Sequence, residues 1–272
     1  MQPLVTMPAA VLRSVRYVLA DIDDTLTNHG RLKAIAYDAM ERLGRAGLTV
    51  VPITGRPAGW CDLIARQWPI AAVVGENGAF FYRYDDATRR MIRRYWKDER
   101  TRAADRSRLM ALKDEILQAV PAASVAADQA FREADLAIDF AEDVGPLPEA
   151  DIERIRAIFE ASGATAKISS IHVNGWFGDY DKLSMTRILF AEVFAEDLDR
   201  IKAQVIFAGD SPNDQPMFGF FSHAVGVANI ARFAKSLKTP PAYVTRAEGG
   251  DGFAELAEAI LAARVGNNGE SR

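Results

Sequence analysis

Most of the groups in this 272-residue chain that could do chemistry stand at five places. Asp21, Asp23 and Asp24 follow a short apolar run, Tyr17–Ala20. Thr54 follows a second run, Leu48–Ile53, with Gly55 and Arg56 beside it. Gly75-Glu76-Asn77-Gly78 follows a third, Ala71–Val74. Lys182 opens a helical pattern, and Gly209-Asp210-Ser211-Pro212-Asn213-Asp214 follows the run Ala203–Ala208. Clustered carboxylates repel one another and resist desolvation, so a cation is expected among them. Oxygen ligands without His or Cys select a hard ion, Mg²⁺ before Zn²⁺. Such an ion beside a lysine and a hydroxyl makes a pocket for a phosphoryl group, whose transfer requires the protein mainly to position groups and neutralise charge.

These groups need elements to hold them. The apolar runs at 17–20, 48–53, 71–74 and 203–208 read as buried strands, because both faces of a strand in a parallel sheet are covered. Helical spacing at 32–43, 59–67 and 182–194 alternates with them, which predicts an α/β fold with a Rossmann-like parallel sheet. Each candidate group then sits beyond a strand or at a helix start, and the C-terminal strand ends of an open parallel sheet form one crevice. Between 79 and 176 the rhythm changes. A hairpin over 79–84 and 91–96, a helix over 103–119, a strand over 136–140, a helix over 148–161 and a strand over 166–173 predict an inserted α+β cap. After 214 the pattern predicts a short helix over 215–220, a strand over 223–227, a helix over 230–237, a strand over 242–245 and a closing helix over 252–263. The expected division is residues 1–82 and 179–272 as the catalytic core and 83–178 as the inserted cap.

Composition sets the outer limits. The chain is 49% hydrophobic and 26% charged, with a formal net charge of −4, which excludes a global basic field for nucleic acid. One cysteine, Cys61, permits no internal disulfide and fits a reduced, cytoplasmic compartment. No segment approaches the ~20 apolar residues a membrane span needs. The first sixteen residues lack a signal peptide's pattern and are expected as a loose leader; the polar Asn267–Arg272 is expected to fray.

DIDDT at 21–25, ITGRP at 53–57, GENG at 75–78, DK at 181–182 and GDSPND at 209–214 stand together in a single order. With these motifs the chain resembles a haloacid dehalogenase superfamily phosphatase of the subgroup with a large type-two α/β cap. The resemblance runs over nearly the whole chain after residue 16. It implies that Asp21 is the nucleophile that takes the phosphoryl group, and that Asp23 protonates the leaving alcohol and then activates water. It implies that Thr54 binds a phosphoryl oxygen and Lys182 balances charge. Mg²⁺ would be held by Asp21, the Asp23 carbonyl and Asp210, with Asp214 or Asn213 directly or through water. Alternate strand residues point to opposite faces, but a loop leaving the strand can bring Asp21 and Asp23 to either side of the phosphoryl group. Two positions depart from the family form: Asp24 stands where Gly is commonest, and Leu183 follows the lysine where Gly often does.

Substrate contacts are less specific. The resemblance puts the turns carrying Gly55, Arg56, Glu76 and Asn77 near the substrate; a tight turn with polar tips is the plainer alternative. Lys167, His172 and Asn174 could face the substrate from the cap, or His172 could be a packed strand histidine. Trp96 and Trp176 read either as cap core or as sugar-stacking platforms. Ten Lys/Arg against five Asp/Glu between Arg83 and Arg108 read as a solvated hairpin and helix, or as a basic surface that draws in anions. The expected function is a Mg²⁺-dependent phosphomonoesterase acting on a small phosphate ester, by resemblance a sugar phosphate of the sucrose-phosphate, trehalose-phosphate or mannosyl-phosphoglycerate kind. A large cap suits compact ligands, because closing it excludes water and leaves little room. No nucleic acid or membrane partner is expected, and the chain is expected as a monomer or homodimer. Two rivals stay open: a phosphomutase of the same fold, and a non-catalytic phosphate-binding protein.

Overall fold

The structure is a computed structural model that describes residues 1–169 and 171–265. The chain begins with β1 (Gln2–Pro3), α1 (Ala9–Ser14) and β2 (Tyr17–Ala20), followed by a small hairpin of β3 (Thr27–Asn28) and β4 (Arg31–Leu32). Next come α2 (Ala34–Arg45), β5 (Thr49–Pro52), α3 (Ala58–Gln67), β6 (Val73–Gly75), β7 (Phe80–Asp85) and β8 (Arg90–Tyr95). The middle holds α4 (Glu99–Ala119), β9 (Ser124–Val125), β10 (Leu136–Asp139), α5 (Glu149–Ala161), β11 (Thr165–Ile168) and β12 (His172–Trp176). The last part holds α6 (Lys182–Leu189), α7 (Leu198–Ile201), β13 (Val205–Gly209), α8 (Gln215–Phe220), β14 (Val225–Gly226), β15 (Tyr243–Val244) and α9 (Gly249–Val265).

Six strands form one parallel sheet in the order β1-β15-β14-β13-β2-β5. β2 and β13 are buried along their whole length, as strands covered on both faces must be. Beyond β5, Ile53 bridges Val74 in parallel, so the antiparallel sheet β6-β7-β8 continues from the edge of the large one. The expected hairpin forms, and it pairs with β6.

A second, antiparallel sheet runs β11-β12-β10-β9. Its apolar cluster joins Leu109 and Ile116 of α4, Leu136 and Ile138 of β10, Phe159 of α5 and Val173 of β12. The two faces of β12 divide the work. A side chain at Gly175 would strike the Phe159 ring at 2.2 Å, so that face lies tight on α5. Strand alternation then turns His172, Asn174 and Trp176 the other way, toward the parallel sheet.

Several boundaries differ from the sequence expectation. Residues 166–173 are two strands, β11 and the start of β12, because Ser169 folds the chain back: its Oγ accepts the N–H of His172 at 2.9 Å. The N-terminal residues are ordered: Gln2–Pro3 pairs with Tyr243–Val244, and Leu4, Met7 and Leu12 are buried. These apolar residues are too scattered to show a period. Residues 228–233 form a 3₁₀ helix where an α-helix was expected over 230–237. The α-helix at Lys182 stops at Leu189 and passes into a π turn that ends at Ala195, φ +53°. The expected fraying of 267–272 lies outside the described residues.

Candidate active site

β2 ends at Ala20 and delivers Asp21 to the crevice; β13 ends at Gly209 and delivers Asp210. The two strands are direct neighbours, Ala20 opposite Ala208, so the two carboxylates start side by side. Asp214 comes back to the same point from the turn Pro212–Asp214. Its Oδ2 accepts the N–H of Asp210 at 3.2 Å. A side chain at position 209 would meet that oxygen at 2.4 Å, so the close approach requires glycine there. One carboxylate oxygen from each of Asp21, Asp210 and Asp214 lies within 4.8 Å of the others.

Lys182 is the only cationic side chain among the described residues that bonds this trio. It sits in the first turn of α6, which Asp181 caps by accepting the N–H of Ser184 at 2.7 Å. Its Nζ donates to Asp21 Oδ1 and Asp214 Oδ1, at 2.7 Å each. Asp210 instead receives Thr25 Oγ1 at 3.4 Å and Asn229 Nδ2 at 3.2 Å. Burial, the largest influence, pushes the Asp21 carboxyl up to about 7 against the pull of Lys182, and Asp214 and Asp23 add to the rise. Burial also pushes Asp210 far above the carboxylate range, with Asp21 and Asp214 behind it. Burial acts to lower the Lys182 ammonium, but Asp21 and Asp214 outweigh it and hold it above its ordinary value. Three buried carboxylates share one ammonium, an excess of anionic oxygen that a hard dication fits.

The opposite wall joins Arg56 to residues on and around the second sheet. Arg56 follows β5 and holds both oxygens of Asp23 with Nε and Nη2, at 2.9–3.0 Å. Its Nη2 also reaches Glu142 Oε1 at 2.9 Å and its Nη1 reaches Asp128 Oδ2 at 3.4 Å. Arg132 binds Asp128 and Asp135 and donates to the carbonyl of Gly55 at 3.0 Å. Asn174 donates to Asp135 at 2.9 Å. His172 Nε2 lies 2.9 Å from Glu142 Oε2, off the line of a hydrogen bond. His172 and then Arg56 hold the Glu142 carboxyl down at about 2, although burial opposes them. The cleft so enclosed is lined by Asp21, Asp23, Gly55, Arg56, Asn77, Arg132, Ser169, Ile171, His172, Asn174, Asp210, Ser211 and Asn213.

No protein-family model matches the chain, and no curated protein matches it in sequence. Solved structures do. A crystal structure from Thermoplasma acidophilum superposes with a TM-score of 0.69 at 19% identity, covering 91% of this chain and 98% of that one. A haloacid dehalogenase-like hydrolase from Bacteroides thetaiotaomicron gives 0.64 at 16% identity, over 90% and 99%. The sucrose-phosphatase from Synechocystis sp., in complex with sucrose and phosphate, gives 0.59 at 16% identity, over 92% and 98%. The chain has the fold of the haloacid dehalogenase-like hydrolases. Here the strand ends of the parallel sheet meet the second sheet across one cleft, which is where the expected groups converge.

The cleft gathers Asp21, Asp23, Gly55, Arg56, Asn77, His172, Asn174, Asp210 and Asn213, with Lys182 and Asp214 immediately beneath through their bonds to Asp21 and Asp210. Thr54 ends fully buried beside it, its Oγ1 accepting the N–H of Arg56 at 3.0 Å. Two expected contacts stand elsewhere. Glu76 is fully buried outside the lining, and its carboxylate accepts the N–H groups of Ala58, Glu133, Ala134 and Asp135. It joins the end of β6 to the second sheet's approach instead of facing a ligand. Lys167 is exposed on β11 and does not line the cleft, although it stands directly across from Asn174. Trp176 is buried and stacks on Tyr180 at 5.6 Å, and Trp96 packs on the same ring at 6.0 Å, so both are core. Cys61 is buried on α3 and its thiol is pushed up by burial, which leaves it inert. In the basic stretch Arg93, Arg94, Lys97, Arg106 and Arg108 are engaged in ion pairs. Asp24 adopts φ +54°, the backbone a glycine takes freely, and braces the hairpin by accepting the N–H of His29 at 3.2 Å.

Sequence reasoning missed Arg132, Asp128, Asp135, Glu142 and Asn229. Asn229 had a signal: it follows a strand of the parallel sheet, like the other groups at the crevice. The other four lie in stretches without apolar period and carried none.

Proposed function

We propose that the chain is a Mg²⁺-dependent phosphomonoesterase that works through an aspartyl-phosphate on Asp21. The observation that carries this is the trio Asp21, Asp210 and Asp214 around Lys182 at the strand ends, with Asp23 just beyond Asp21 and facing the same cleft. Asp21, Asp210, the Asp23 carbonyl, and Asp214 or Asn213 would hold the ion. Bound there, Mg²⁺ would neutralise carboxylate charge and polarise a phosphoryl oxygen.

The chain's own residues do the rest. An Asp21 carboxylate oxygen attacks phosphorus while the bond from phosphorus to the alcohol oxygen breaks. Asp23, turned out of the Arg56 fork, gives the alcohol its proton. In the second half Asp23 takes a proton from water, the water oxygen attacks phosphorus, and the bond to Asp21 breaks to release phosphate. Lys182 keeps Asp21 oriented and offsets charge in both halves. Thr54 and the Gly55 turn would cradle the phosphoryl oxygens.

The insert 83–178 acts in this reading as a cap. Arg132, Ser169, His172 and Asn174 present polar groups to whatever lies above Asp21, which suits a hydroxylated alcohol such as a sugar. The similar sucrose-phosphatase, solved with sucrose and phosphate, supports that choice. The test is a panel of phosphorylated metabolites with purified protein and Mg²⁺, followed by Asp23→Asn on the best substrate. Release of inorganic phosphate that stops with chelator is expected, and Asp23→Asn should accumulate acid-stable labelled phosphoenzyme. No turnover on any ester returns the chain to the phosphate-binding reading, and phosphate moved to a second sugar position would make it a mutase.

A further inference from the structure

A groove of about 400 Å³ opens beside the cleft, between the β3–β4 hairpin, helix α3 and Phe131 of the cap. Trp60, Leu63, Ile64, Trp68 and Leu32 line it with Phe131. Three of these are open to solvent: Trp60 at 41%, Leu63 at 52% and Phe131 at 56% exposure. An apolar concavity of this size is what a small organic group fills. Polar partners are scarce in it. The Thr27 hydroxyl is spent inside the hairpin, donating to the carbonyl of Ile22 and accepting the N–H of Asp24. That leaves Asp23 as the ionisable side chain on its wall.

Asp23 is also on the wall of the catalytic cleft. The two spaces therefore share Asp23, the residue that would hand a proton to the leaving oxygen. Arg56 marks the border, its guanidinium 4.4 Å from the Trp60 ring centroid and its nitrogens on Asp23. With the cap as it stands, the room left over Asp21 is about 20 Å³, roughly what one water requires. An alcohol that extends beyond the polar groups above Asp21 has the groove, past Asp23, to enter.

We propose that this groove seats an apolar end of the leaving alcohol, so that the preferred esters carry an aryl or alkyl group beyond the carbons that bear the phosphate. The proposal rests on the phosphatase reading and extends it to substrate class. A bare polyol would leave its hydroxyls without partners against Trp60, Leu63 and Phe131, a loss that an apolar group does not incur. Phe131 packs close on α3 at Gly59, where a side chain would stand 2.8 Å from Phe131 Cβ.

The test compares kcat/KM for a hexose 6-phosphate and for the octyl and phenyl hexosides carrying the same phosphate. The tailed esters should exceed the plain one by at least ~10-fold, the worth of burying roughly 60 Å² of apolar surface. Leu63→Asp and Phe131→Ser, both at exposed positions, should bring that ratio close to one. The ratio is the reading, so a general loss of active protein does not imitate the result. Equal kcat/KM for plain and tailed esters in the unaltered enzyme overturns the proposal while leaving the phosphatase reading intact. If Leu63→Asp then also shifts the sedimentation of the protein, the groove belongs to a second copy of the chain. A ratio that survives both substitutions overturns it too, and hydrolysis of none of the esters removes the phosphatase reading and the proposal together.

Discussion

Two charge clusters stand at the cleft, and they are built differently. In one, Arg56 and Arg132 meet Asp23, Asp128, Asp135 and Glu142, and each of these carboxylates lies within 3.4 Å of a guanidinium nitrogen. In the other, Lys182 bonds two carboxylates, and Asp210 has no cationic side chain within 4 Å among the described residues. Formally both clusters are short of positive charge by the same amount, but the guanidinium forks reach every one of their carboxylates, whereas Lys182 leaves Asp210 without a cation. Buried charge in a protein is tolerated when paired; a buried carboxylate that no cation reaches, as at Asp210, marks where something else binds.

The largest effect is expected at Asp21. Asp21→Asn should lower hydrolysis of an aryl phosphate by at least ~10³-fold while leaving the circular dichroism spectrum and melting temperature close to the original. Substantial residual turnover would put the nucleophile elsewhere. At the arginine cluster the effect should appear in stability instead. Arg132→Met leaves Asp135 without a cation and Asp128 with only the longer contact to Arg56, and should cost about 3–5 kcal/mol in urea unfolding. A loss below about 1 kcal/mol would mean that this cluster is solvated in solution.

The carboxylate without a cation can be probed directly by melting. Mg²⁺ at a hundredfold above its dissociation constant should raise stability by about 2.7 kcal/mol, and Asp210→Asn should abolish the shift. An equal shift in that variant would move the ion away from the trio. A further effect is expected in pH dependence at Glu76. Burial, reinforced by Asp135, pushes its carboxyl from an ordinary 4.5 up to about 8, while Arg132 and the backbone N–H donors resist. A raised folded value means that the stability linked to this group is fully present below about pH 4.5 and is lost as pH rises through about 8. Glu76→Gln should flatten the fall in melting temperature over that window, and an unchanged slope would show that the four N–H donors keep Glu76 ionised throughout.

Much of the core was legible in the amino-acid sequence. Strands buried on both faces write themselves as unbroken apolar runs, and YVLA and AQVIFA each end directly before an acidic motif. The parallel sheet follows from their alternation with helices, and the crevice follows from the sheet. For that reason Asp21, Asp23, Thr54, Asp210 and Lys182 could be assigned to one place from sequence. The β11–β12 turn was not legible, since apolar residues continue on both sides of Ser169 and nothing local says that the chain reverses.

Local period and residue type thus account for the layered core and for the carboxylate chemistry at its strand ends. Which charges are already spent depends on contacts between distant parts of the chain. Glu76 is drawn away from the ligand by backbone N–H groups at residues 133–135, and Asp128 and Glu142 reach Arg56 from 72 and 86 positions away. The apolar groove is likewise assembled from three separate segments, none apolar enough to announce it. Contacts of that range depend on how residues 128–142 pack against the strand ends of the parallel sheet, a property of the packed molecule that no short window of residues contains.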